Sequence, residues 1–151
     1  MLGIGGSTEQ QPEDQFTPVE VKWFAENNIQ ITQISGGYYH SAAIDKNGRL
    51  YTWGWGEHGQ LGHGSFKNEY TPRMVEFPQS CHIVRVDCGG FHTIALTNQG
   101  QLYAFGLAEY GQLGNSSPPM QRKVSIPLKI PERKGNREII KNGKPKSSHS
   151  L

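Results

Sequence analysis

His40 to Gly62 reads HSAAIDKNGRLYTWGWGEHGQLG, and His92 to Gly114 reads HTIALTNQGQLYAFGLAEYGQLG. The two stretches sit 52 residues apart without a gap, and 11 of their 23 positions are identical. Shared positions include Gly48/Gly100, Tyr51/Tyr103 and the whole Gly-Gln-Leu-Gly at 59–62 and 111–114. Self-similarity at such a period is the mark of a solenoid, a propeller or another array. The question raised by this chain is therefore which repeat it carries, and in how many copies.

Working outward, Ile31, Ile34 and Gly37 match Ile83, Val86 and Gly89 at the same offset. Tyr70-Thr71-Pro72 and Val75 are echoed by Phe16-Thr17-Pro18 and Val21, and Leu61-Gly62-His63-Gly64 by Leu2-Gly3-Ile4-Gly5. The chain thus reads as the tail of one repeat (1–28), a complete one (29–80) and a near-complete one (81–130). Residues 131–151, PERKGNREIIKNGKPKSSHSL, carry six Lys/Arg against two Glu and little apolar content, the composition of a basic disordered tail.

Within one repeat the physics is local. Ser41-Ala42-Ala43-Ile44 and Arg49-Leu50-Tyr51-Thr52-Trp53 are short runs suited to strands, and Asp45-Lys46-Asn47-Gly48 joins them. Glycine after Asn supplies the positive φ of a tight hairpin, and Thr97-Asn98-Gln99-Gly100 repeats the device. Ile29 to Ile34 is expected to pair on one side of the hairpin, and the segment around Val75 to Phe77 to add a fourth strand on the other. Lys123-Val124 begins the matching outgoing strand of the next unit. Four short strands in about 52 residues, with glycine turns, describe a propeller blade. The fold class is all-β: a partial β-propeller of four-stranded antiparallel blades, not closed in this chain. Trp53 and Phe105, at equivalent strand ends, are expected to bury between blades, each ring hiding about 150–250 Å². Gly-Gln-Leu-Gly is expected to form a sharp loop whose leucine points inward.

Gly-Gly-aromatic-His-Ser/Thr, then Asn-Gly or Gln-Gly, Leu-Tyr-x-Trp-Gly, Gly-Gln-Leu-Gly and Thr-Pro together resemble the regulator of chromosome condensation repeat. The resemblance covers Gly37 to Pro72 and Gly89 to Gly114, and it implies a blade of a seven-bladed propeller. With two to three units the chain reads as a fragment of such a ring. Members of that family include an exchange factor for a small GTPase that also docks on nucleosomes, ubiquitin ligases, and a plant UV-B photoreceptor. Most use the propeller as a protein-binding platform. The resemblance therefore implies a non-enzymatic protein-interaction module with a regulatory or scaffolding role linked to small-GTPase signalling. The alternative is a piece of an exchange factor or a ubiquitin ligase whose activity requires further sequence. Where the photoreceptor carries Gly-Trp-Arg-His-Thr, this chain has Tyr38, Tyr39 and Phe91, without Trp or Arg. Trp55, like Trp53, reads as inter-blade packing.

Other chemistry finds little support. The net charge of +2 does not call for a nucleic-acid partner, and a chromatin contact has no basis in the residues. No apolar stretch is long enough to span a membrane, and two cysteines, Cys81 and Cys88, suit a reducing, intracellular setting, cytoplasmic or nuclear. His58 and His63 lack further ligands at a metal-site spacing, so no metal or other cofactor is expected. His40 and His92 recur at one repeat position and read as buried hydrogen-bonding residues, and Cys88 as a small packing residue. Gly54-x-Gly56-x-x-Gly59 precedes no helix and is not a phosphate loop, and no catalytic residue is assigned. Partner contacts are expected from Trp23 and Phe24, in a longer connecting loop, and from Glu57, His58, Glu109 and Tyr110, beside the Gly-Gln-Leu-Gly loops. Open blade edges add the prospect of self-association.

Overall fold

The computed structural model describes residues 17–114 and 122–131. The Leu2-to-Gly5 echo, Phe16 and nearly all of the basic segment lie outside the described residues. Two four-stranded antiparallel sheets, ordered β1-β2-β3-β4 and β5-β6-β7-β8, form the two blades. Blade one comprises β1 (Ile31–Gly36), β2 (His40–Asp45), β3 (Leu50–Gly54) and β4 (Glu69–Met74). Blade two comprises β5 (Ile83–Cys88), β6 (His92–Thr97), β7 (Leu102–Leu107) and β8 (Lys123–Lys129). The hairpins fall where the turns predict them, with Ala43 opposite Tyr51 and Ala95 opposite Tyr103. Gly48 and Gly100 take φ of 74° and 77°, the left-handed region that an L side chain resists.

Two local expectations are corrected. The fourth strand is Glu69–Met74, not the segment around Val75 to Phe77. Arg73 pairs with Thr52 and Glu69 with Gly54, so residues 70–72 oppose Trp53 alone in an irregular, bulged stretch. Pro72 is tolerated there because an edge strand at a bulge asks no ladder N–H of it. Val75 only prolongs the ladder by one bond, its N–H donating to Leu50 O at 2.8 Å. The Lys22–Glu26 segment is a short helix, α1, and not a loop.

The core lies between the blades. Ala42, Ile44, Leu50 and Val75 of blade one meet Ile83, Val86, Ala95 and Phe105 of blade two. Phe105 is fully buried, as expected of it. Trp53 is buried on the other face of blade one, beneath Phe24 of α1, with ring centroids 5.7 Å apart. Leu61 and Leu113 point inward from their loops, and a Cβ at Gly62 would stand 2.8 Å from the Phe105 ring. That leaves glycine as the residue that lets the loop of one blade lie on the aromatic of the next.

Polar bonds lock the same joint. Thr93 Oγ1 donates to Gln60 O at 2.8 Å, and His40 Nε2 stands 2.9 Å from the same hydroxyl. With its proton committed to the carbonyl, the Thr93 oxygen accepts from Nε2–H, which fixes the His40 tautomer. Gln33 Nε2 donates to Val86 O, Cys88 N to Ser35 Oγ, and Ile83 N to Gly48 O. Each of these bonds crosses from one blade to the other.

Candidate partner-binding surface

Three loops converge at one end of the inter-blade joint. Tyr38 and Tyr39 come from the β1–β2 turn, Phe91 from the β5–β6 turn, and Trp55 and His58 from the segment after β3. The backbone holds these loops together: Tyr38 N donates to Gly90 O (3.3 Å), Trp55 N to Tyr39 O (2.8 Å) and Leu107 N to Phe91 O (2.8 Å). A Cβ at Gly37 would stand 2.4 Å from Gly89 O, so only glycine permits the two turns to approach this closely.

The rings form one cluster. Phe91 of blade two meets Tyr38 at 5.5 Å edge-on, Tyr39 at 6.3 Å stacked, Trp55 at 5.8 Å and His58 at 5.0 Å. Tyr39 meets Trp55 at 5.6 Å, and Trp55 meets His58 at 5.0 Å. Each such pair adds roughly 0.5–1.5 kcal/mol beyond area burial, so the cluster is a stiff ledge. Tyr38 and Tyr39 nevertheless keep 73% and 58% of their surface exposed. The rings fill the space between one another, which leaves a ledge rather than a cage.

Charge rims the ledge. Burial lowers the His58 pKa, and the Lys123 ammonium lowers it further, while Glu57 and Glu109 act in the opposite direction. The imidazole is therefore neutral at neutral pH and belongs to the aromatic cluster. Lys123 Nζ donates to Glu57 O at 3.1 Å, a further tie between blades. His58 N donates to Gln60 Oε1, and Tyr110 N to Gln112 Oε1, so the two Gly-Gln-Leu-Gly loops are braced alike.

Of the residues expected to meet a partner, Glu57, His58 and Glu109 lie at this ledge, and Tyr110 is exposed on the equivalent loop of blade two. Trp23 and Phe24 lie elsewhere, against Tyr51 and Trp53, and Phe24 is buried. Tyr38, Tyr39, Trp55 and Phe91, which complete the ledge, were not among the residues expected to meet a partner. Their signal was present: aromatics directly precede each repeat histidine, and repeat turns at equivalent positions must meet on one face.

Among the described residues no three His, Cys, Asp or Glu side chains are grouped to hold a metal ion. His63 Nε2 instead stands 2.9 Å from Thr52 Oγ1. Burial pushes the Cys88 thiol up to about 11, against the pull of the Ser35 and Thr93 hydroxyls, so it is an unreactive packing group.

The repeat model of the regulator of chromosome condensation (RCC1) matches residues 1–44, 47–96 and 99–141, and a second model of that repeat matches 31–60 and 83–112. The chain belongs to the RCC1 repeat family. It is 40% identical over 102 residues to the ultraviolet-B receptor UVR8 of Arabidopsis thaliana, covering 68% of this chain and 23% of that protein. It is 34% identical over 125 residues to the human E3 ubiquitin-protein ligase HERC2, covering 83% of this chain and 2% of that protein. The chain thus spans less than a quarter of the length of these relatives. Human WBSCR16 superposes with a TM-score of 0.63 at 26% identity, over 68% of this chain and 26% of that one. RCC1-type Prp20p from Saccharomyces cerevisiae superposes with a TM-score of 0.61 at 22% identity, over 70% and 26%, and shares the fold. The two sheets described above are RCC1-type blades. No helix among the described residues is long and apolar enough to cross a membrane.

Proposed function

We propose that the chain acts in protein–protein recognition, presenting the Tyr38/Tyr39/Trp55/His58/Phe91 ledge to a partner in a regulatory role tied to small-GTPase signalling. The observation that carries this reading is the ledge itself: rings from both blades, rigidly packed, with two tyrosines left open to solvent. Rigid aromatic side chains are the residues that most often dominate binding energy at protein interfaces, because little rotamer entropy is lost on contact. The exposed Glu57 and Glu109 on the rim favour a partner surface bearing Lys or Arg. Prp20p, described with its binding properties to Gsp1p and histones, supports a partner of one of those kinds. A second reading, the recognition part of a ubiquitin ligase, is favoured by the likeness to HERC2 across 83% of the chain. Neither nucleotide exchange nor ligation is assigned to these residues.

The test is binding of the purified chain to Gsp1p and to core histones, read by interferometry alongside a nucleotide-release assay. The expected result is binding to Gsp1p without accelerated release, weakened at least about tenfold by Tyr38→Ala with Tyr39→Ala. Because both tyrosines also pack on Phe91 and Trp55, circular dichroism of the double variant must match that of the native chain before its binding is compared. Equal binding by the double variant, or no binding by the native chain, defeats the proposal.

A further inference from the structure

The β2–β3 turn carries a chemically labile pair at the seam between the blades. Asn47 is exposed, and Gly48, which follows it, is buried against blade two. Position 48 requires glycine twice over: its φ is 74°, and a Cβ there would stand 2.6 Å from the His82 ring of blade two. Gly48 O also accepts the Ile83 N–H at 2.9 Å, a bond between the blades. Position 47 carries no such demand. In blade two Gln99 fills the same place in the same turn, with Gly100 N donating to Thr97 O at 3.0 Å as Gly48 N does to Asp45 O at 3.0 Å.

An asparagine followed by glycine can close on itself. The Gly48 nitrogen gives up its proton to water and bonds to Asn47 Cγ, the Cγ–Nδ2 bond breaks, and ammonia leaves. Water then opens the five-membered imide at either carbonyl, giving aspartate or isoaspartate. Glycine permits this because no side chain shields its nitrogen, and asparagine is accordingly among the thermolabile residues. Glutamine would need a six-membered ring, which closes far less readily, so the blade-two turn is spared.

The folded turn resists ring closure. Gly48 N–H is committed to Asp45 O, while the Asn47 and Arg49 N–H groups both donate to Asp45 Oδ1 at 2.9 Å. The Gly48 nitrogen is released only when the turn leaves its place against His82 and Ile83. Once isoaspartate has formed, the main chain runs through the former side chain and is longer by one carbon. Gly48 O is then displaced from Ile83 N, and a new carboxylate stands two residues from Asp45. We infer that Asn47 is a site of spontaneous deamidation gated by the seam, and that its conversion to isoaspartate is a one-way latch that leaves the two blades loosened. The site is independent of the reading proposed for the aromatic ledge.

The experiment ages the full chain in warm neutral buffer, folded and in denaturant. Peptide mapping by mass spectrometry follows each asparagine, and methyl transfer from S-adenosylmethionine by an isoaspartyl methyltransferase marks isoaspartate. Asn142-Gly143, outside the described residues, has the same Lys-Asn-Gly sequence and should match Asn47 in denaturant. In the folded chain, conversion at Asn47 should be measurable but at least about tenfold slower than in denaturant, the factor set by the cost of opening. The purified isoaspartate form should exchange its Ile83 amide at least about tenfold faster than the fresh chain. Asn47→Gln, which copies the blade-two turn, should keep the fresh chain's exchange after ageing. Equal conversion at Asn47 in the folded and denatured chain overturns the inference. So does a folded chain in which Asn47 stays intact, or an isoaspartate form whose Ile83 amide remains fully protected.

Discussion

At the scale of single residues, the most consequential group is the Thr93 hydroxyl, which serves two blade-one partners from blade two. Thr93→Val keeps the shape but strands Gln60 O and His40 Nε2 without a partner. A buried group left unpaired costs about 1–3 kcal/mol, so denaturant unfolding should show a loss of that size. His40 sets a pH dependence. Burial, with the neighbouring His92, lowers its pKa to about 4, against 6.5 for an ordinary histidine. The unfolded chain then takes up this proton first, so stability is full above about pH 6.5 and declines as pH falls toward 4, by roughly 3 kcal/mol at most. His40→Gln should flatten unfolding free energy across that window. Asp45 acts lower still. Burial alone would raise its carboxyl, but the Arg49 N–H groups and the Asn47 N–H hold it below the usual range. Its contribution is present at higher pH and is lost only as pH falls through that depressed value. The role was legible for His40, which is buried and bonded to Thr93, whereas His92 is only half-buried and makes no side-chain hydrogen bond among the described residues. The partner of His40 was not legible, since Thr93 lies in the next blade and reads in sequence as an ordinary strand residue.

At the scale of elements, the hairpins were legible because Asn-Gly and Gln-Gly turns act locally, within four residues. Edge strand β4 and helix α1 were not, and the reason is the same in both cases: tertiary contact overrides local preference. The run Val75 to Phe77 looks like a strand, yet the ladder from β3 ends at Val75, and Phe77 turns away to meet Tyr103. In α1 five residues could not hold a helix alone. Phe24 anchors it by meeting Trp23, Tyr51 and Trp53 edge-on at 5.3–5.7 Å. Phe24→Ala should therefore cost about 2–3 kcal/mol, at the low end for a buried ring because the site borders an open groove. Thermal unfolding followed by tryptophan fluorescence reads this directly. The aromatic ledge eluded the sequence for a related reason. Its rings are far apart in the chain, and only the meeting of turns from two blades makes them one surface.

At the scale of the whole molecule, the chain is two copies of one unit joined by a seam that is apolar inside and hydrogen-bonded at its margins. Repeat assemblies draw much of their stability from such nearest-neighbour contacts. The ledge depends on the seam as well, since Phe91 reaches Tyr39, Trp55 and His58 only when the blades are locked. The fold class and repeat family were plain in the sequence because the same pattern is written twice. The seam was legible only as an expectation for Phe105, because all but one of the bonds that close it, His40 to Thr93, involve backbone atoms. Native-state amide hydrogen exchange tests the seam most directly, at the N–H groups of Ile83 and Cys88, whose acceptors Gly48 O and Ser35 Oγ lie in the other blade. The prediction is that both are protected as strongly as the central amides of β2 and β6, opening only when the two blades unfold together. Exchange of these two amides at the rate of free ones, with the sheet interiors still protected, would contradict it.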